Sequence, residues 1–94
     1  MERSLETLRE EINRIDENII TLLSKRMEVA KSIAALKKVK GISVEDRDRE
    51  KTIFLKLERE ARRNNISEEF VSEVFGLIVS HSKLIQSKIL EEQK

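Results

Sequence analysis

From Ser4 to about Lys40 the apolar residues return at every third or fourth position: Leu5, Leu8, Ile12, Ile15, Ile19 and Leu22, then Val29, Ile33 and Leu36. That spacing draws one stripe down an α-helix, and no Gly or Pro interrupts the stretch. One member of the series is out of place. Arg26 stands between Leu22 and Val29, where the stripe asks for an apolar side chain. A guanidinium on a buried seam costs several kcal/mol unless it meets an anion.

Gly41 is free to take positive φ and ends this helix after a basic last turn of Lys37, Lys38 and Lys40. Ser43 or Asp46 can cap a second helix over about 46–64. Its stripe is Glu50, Ile53, Phe54, Leu57 and Ala61, again with one polar member, Glu50. Asn64-Asn65 reads as a turn. Ser67 caps a third helix, whose first turn carries Glu68 and Glu69. Its apolar face runs Val71, Val74, Phe75, Ile78, Ile85 and Ile89, and Ser82 and Gln86, one turn apart, break it. Gly76 costs about 1 kcal/mol relative to Ala in mid-helix, and close helix approach is the expected reason for it. Fraying is expected over Glu91–Lys94.

A first helix of about 37 residues would be roughly 55 Å long, whereas a compact globule of this size has a radius of gyration near about 12 Å. Either the helix breaks or another chain covers its stripe. Nothing in the sequence breaks it, so the second option is expected.

Composition narrows the classes. The fold class read from these patterns is all-α, with one long, one short and one medium helix, in one domain spanning 1–94. Lys+Arg is 19 and Asp+Glu is 18, interleaved along the chain, unlike the concentrated basic face of a nucleic-acid binder. Cysteine is absent, which excludes disulfide and thiol chemistry. No apolar run approaches the roughly 20 residues of a membrane span, nor is there a signal-peptide core, so a cytoplasmic protein without membrane or nucleic-acid partners is expected.

Arg26, Ala30, Ile33 and Lys37 share one track of the first helix, with Arg26 and Lys37 facing the same way roughly 16 Å apart. If three helices surround one core, Arg26, Lys37, Glu50, Ser82 and Gln86 converge on a pocket suited to a small polyanion with hydrogen-bonding groups. Each has a plainer reading when taken alone. Arg26 would pack its stem and reach water, Glu50 would pair with a Lys or Arg, and Ser82 and Gln86 would bond to backbone or to a partner chain. Arg9, by itself, is a surface residue, and Arg62-Arg63 complement a helix dipole. The single His81, beside the third stripe, reads as half-buried and structural; with no Cys and no second His, a metal site is not expected.

The ordered set resembles the all-helical class of chorismate mutases. The likeness covers nearly the whole chain. It is carried by Leu8-Arg9 with Ile12, Ile15 and Asp16; by Leu22-Leu23 followed by Arg26, Ala30 and Lys37; by the D-x-x-R-E segment Asp46-Arg47-Asp48-Arg49-Glu50; and by Phe75, Ile78, Ser82 and Gln86. The resemblance implies an intertwined helical homodimer with two equivalent sites for chorismate and no cofactor. Arg26 and, from the other subunit, Arg9 would bind the two substrate carboxylates. Lys37 and Gln86 would donate to the ether oxygen. Glu50, with backbone near Asp46, would hold the ring hydroxyl, while Ser82 and Arg49 would complete the carboxylate contacts. Arg9 and Arg26 lie roughly 25 Å apart along one helix, too far for one such ligand to span, so one of them would come from a second chain. Isochorismate-pyruvate lyases share the fold and are the alternative enzyme class. A non-catalytic helical dimerisation module would explain the first stripe but not its polar interruptions.

Overall fold

The computed structural model describes residues 4–92 and consists of three helices: α1 (Leu5–Lys40), α2 (Arg47–Arg63) and α3 (Glu68–Glu92). Each boundary has a local cause. Ser4 Oγ accepts from the Thr7 N–H at 3.1 Å and starts α1. Gly41 ends it in the left-handed conformation at φ 67°. There the Ile42 N–H returns to Lys37 O at 2.8 Å and the Gly41 N–H to Lys38 O at 3.3 Å, which closes the last turn. Asp46, rather than Ser43, caps α2: its Oδ1 accepts from the Arg49 N–H at 3.0 Å, while Ser43 Oγ accepts from the Glu45 N–H in the preceding loop. At the other end of α2, Asn65 takes φ 55°, and the Ile66 N–H reaches Ala61 O at 2.9 Å. Ser67 Oγ then caps α3 through the Phe70 N–H. The helix runs on through Glu91 and Glu92, where fraying was expected, while Gln93 and Lys94 lie outside the described residues.

α1 does not break. It spans 36 residues, and the molecule is 60 Å along its longest axis, with a radius of gyration of 17.2 Å against about 12 Å for a compact chain of this length. α3 packs against α1 on one side and α2 on the other, and α1 and α2 do not meet. The three helices thus form a layer in which α3 is central. They do not surround a common core, as the sequence pattern suggested. The consequence is visible in burial. Among the described residues the buried apolar side chains are Ala30, Ala34 and Ala61. Ala30 and Ala34 stand on successive turns of α1, the helix that packs against α3. The N-terminal half of α1 projects beyond this packing, leaving Leu5, Ile12, Ile15, Ile19 and Leu22 each half or more exposed.

Two further expectations fail for related reasons. A Cβ added at Gly76 would meet nothing within 4 Å, so no close approach within this chain accounts for that glycine. His81 is exposed rather than half-buried: it lies at the rim of a shallow, open hollow between α3 and Leu23, Arg26 and Met27 of α1. Arg62 and Arg63 are surface charges, paired with Glu68 at 2.9 Å and Glu60 at 3.3 Å. Among the described residues no helix is long and apolar enough to cross a membrane.

Candidate functional site

The C-terminal half of α1, the entry to α2 and the C-terminal half of α3 enclose a cleft of about 370 Å³. α1 contributes Arg26 and Lys37 with the apolar Val29, Ala30 and Ile33 between them. The loop and the first turn of α2 bring Val44, Asp46, Arg49 and Glu50, backed by Ile53. α3 adds Val79, Ser82, Lys83 and Gln86. Every polar residue that interrupts an apolar stripe in the sequence therefore lines one cavity. It is an open cleft, not the closed interior pocket that three converging helices would make, because α1 and α2 each pack on α3 and not on one another.

The hydrogen bonds show how the cations are held. Arg26 Nη1 donates to Ser82 Oγ. Lys37 Nζ donates to Val44 O and to Gln86 Oε1, each at 3.1 Å. Both cations are half-buried, yet all of these acceptors are neutral oxygens. Arg26 is the residue that called for an anion, and among the described residues no carboxylate pairs with it or with Lys37. Partly desolvated cations without a counter-ion are unfavourable unless something negative completes them. Four cations, Arg26, Lys37, Arg49 and Lys83, line the cleft against two carboxylates, Asp46 and Glu50, an excess of two positive charges.

Among the described residues Gln86 is the one buried polar side chain, at 8% exposure. Its Oε1 is taken by Lys37, so its amide N–H₂ is the group left to donate to a ligand. Asp46 has a structural task as the cap of α2, which points the first backbone N–H groups of that helix, and its positive end, toward the cleft. Glu50, in the same turn, is not free. Its Oε1 lies 2.7 Å from Lys83 Nζ. That hydrogen bond is the main reason the Lys83 pKa is raised above its ordinary value; burial acts against it, and Glu45 adds to it. Lys83 was missed in the sequence. The available signal was its register: Val79, Lys83 and Gln86 follow one another on a single track of α3.

Arg9 is the predicted site residue that the cleft does not contain. It sits on the exposed N-terminal half of α1, roughly 25 Å from Arg26 along the helix axis. Among the described residues there is no cluster of three or more His, Cys, Asp or Glu able to hold a metal ion.

Comparison with known proteins identifies the family. The family profile described as "Chorismate mutase type II" matches residues 8–87. A Methanocaldococcus jannaschii protein named "Chorismate mutase" is 32% identical over 92 residues, which cover 98% of this chain and 93% of that protein. A "Bifunctional chorismate mutase/prephenate dehydratase" of Buchnera aphidicola subsp. Schizaphis graminum is 36% identical over 86 residues, 92% of this chain but 22% of that protein. The Escherichia coli K12 protein of the same name is 30% identical over 91 residues, 97% of this chain and 24% of its own length. The chain thus spans nearly all of the first relative and about a quarter of the bifunctional ones.

Proposed function

The chain belongs to the chorismate mutase type II family, and on that premise we propose that the cleft between α1, α2 and α3 converts chorismate to prephenate. The observation that carries this reading is the pair of half-buried cations, Arg26 and Lys37, whose hydrogen bonds among the described residues go to neutral acceptors. A substrate with two carboxylates supplies the missing negative charge.

The reaction is an intramolecular rearrangement. The ether C–O bond breaks while a C–C bond forms at the other end of the enolpyruvyl arm, and no proton or electron leaves the molecule. The protein's contribution is therefore geometric and electrostatic. Arg26, steadied by Ser82, clamps one carboxylate with its forked donors. The second carboxylate is bound by the partner subunit's Arg9, which holds the arm over the ring. Lys37 and the amide of Gln86 donate to the ether oxygen as its negative charge grows in the transition state, which is where a fixed donor lowers the barrier. Glu50 and the backbone at Asp46 hold the ring hydroxyl, and Arg49 completes the carboxylate contacts at the α2 entry. Neither the lyase nor the adaptor reading is favoured by the family match.

The site in this form requires a homodimer. Support comes from the exposed apolar stripe of α1, from the absence of any large, fully covered apolar side chain among the described residues, and from the distance between Arg9 and Arg26. Each large apolar side chain buried at such a contact contributes about 1.5–3 kcal/mol, so a second α1 laid along the stripe supplies the core that one chain lacks. We read residues 1–94 as one catalytic domain of a cytoplasmic enzyme that needs no cofactor. The test is direct. Purified protein is incubated with chorismate, the loss of chorismate and the appearance of prephenate are followed, and the mass in the same buffer is measured by light scattering. Turnover by a particle of twice the chain mass is the expected result. Release of pyruvate, or no consumption of chorismate, overturns the assignment.

A further inference from the structure

Lys83 belongs to the cleft, yet the chemistry above gives it no task. Its ammonium lies 2.7 Å from Glu50 Oε1 and 3.7 Å from Glu45 Oε1. Three pieces of the chain meet at this point: α3 through Lys83, the first turn of α2 through Glu50, and the connecting loop through Glu45. The bond matters because of the packing. α1 and α2 do not touch, so the first turn of α2 is held over the cleft only by the loop and by α3.

Glu50 is the longest flexible acid facing the cleft, with three rotatable side-chain bonds. A carboxylate of that kind fixes a ligand hydroxyl only if its own rotamer is fixed. Lys83 supplies that constraint. The Lys83 and Glu50 side chains are 34% and 23% exposed, so the bond is partly shielded from water, whereas the pairs at Lys31–Glu28, Arg47–Glu45, Arg62–Glu68, Arg63–Glu60 and Lys83–Glu45 each include a side chain more than half exposed. The Glu50 contact raises the Lys83 pKa, so the amine remains charged at any pH used for an assay.

We propose that Lys83 is a positioning residue of the site: it grips Oε1 of Glu50 from α3, so that Oε2 is presented at a fixed place to the hydroxyl of the bound substrate. Glu45, 3.7 Å from the same ammonium, is a second anchor that keeps Lys83 from competing for the substrate's carboxylates. The inference rests on the assignment of Glu50 to the ring hydroxyl.

Lys83→Met, Lys83→Arg and Lys83→Gln are assayed with chorismate beside wild type, in the Glu50 and the Glu50→Gln backgrounds, with melting temperature and helical circular dichroism measured for each. With Glu50 present, Lys83→Met lowers kcat/KM by roughly tenfold at a near-unchanged melting temperature, and Lys83→Arg restores it to within about threefold. Where Glu50 is already Gln, Lys83→Met costs less than about twofold, because the group it positions is gone. If Lys83→Met melts early, Lys83→Gln, which keeps a neutral donor, carries the same comparison. Full activity in Lys83→Met overturns the inference, as does an equal loss in both backgrounds, which would mean that Lys83 acts on the substrate or the fold without Glu50. The wild-type arm separates the two levels. A wild type that does not turn over chorismate removes the functional reading and the inference with it. An active wild type with an indifferent Lys83 removes the inference alone.

Discussion

Gln86→Glu is the substitution that most sharply tests how the cleft handles charge. In the proposed mechanism the wild-type amide donates to the ether oxygen at any pH. A glutamate can donate there only when protonated. Two features decide how often that happens. Position 86 is nearly covered, at 8% exposure, which favours the neutral acid. Against this, Lys37 Nζ stands 3.1 Å from the present Oε1. At an effective dielectric of about 20, opposite charges at roughly that distance attract by about 5 kcal/mol, so the ammonium opposes protonation more strongly than a partly open cleft favours it. The carboxyl is therefore expected to titrate at or below the ordinary value of about 4.3. At a pH of about 7.3, three units higher, roughly one molecule in a thousand carries the proton. The variant should lose about a thousandfold in kcat/KM at neutral pH and recover about tenfold for each unit of acidification, approaching a plateau only near the carboxyl's own pKa. The assay is the initial rate of chorismate consumption from about pH 4.5 to 8, with helical circular dichroism recorded alongside and Gln86→Ala as the control. Gln86→Ala should lose activity evenly across that range. A flat profile for Gln86→Glu, or an acid recovery shared by Gln86→Ala, would refute the donor role of Gln86.

Lys37→Ala should lower kcat by some hundredfold to thousandfold, the usual loss of about 3–4 kcal/mol when a transition-state donor is removed; helical content should remain, and near-normal turnover would remove Lys37 from the mechanism. Arg9→Ala and Arg26→Ala should each be nearly inactive, and mixing them under conditions of subunit exchange should restore a fraction of wild-type activity, because some hybrid dimers carry one intact site. No recovery despite proven exchange would exclude a shared site. Gly41→Ala should cost about 1 kcal/mol of stability from the strain of an alanine at positive φ, with no steric addition since the space around its Cβ is open; a denaturation midpoint equal to wild type would mean that the cap is not needed.

The parts legible in the sequence share one property: their cause lies within a few residues. Ser4, Gly41, Asp46 and Ser67 act on backbone groups beside them, so the helix limits were readable to within a residue or two. The interruptions at Arg26, Glu50, Ser82 and Gln86 were readable because a polar group on an apolar stripe breaks a local period, whatever lies opposite. The register of Lys83 with Val79 and Gln86 was the only local hint, and nothing on α3 says that Glu50, more than thirty positions away, lies 2.7 Å from it. The layering of α1, α3 and α2 was also hidden, since stripes state which face is apolar but not which neighbour covers it. The same ignorance of neighbours explains His81 and Gly76.

In the proposed homodimer, the uncovered stripe of α1 would tie this enzyme's existence to its own abundance. A chain whose greasy flank is covered by a twin folds by a second-order process, so its stability would rise with the logarithm of protein concentration. Diluted far enough, it should lose structure and catalysis together, and a cell making too little of it would hold unfolded polypeptide instead of a weak catalyst.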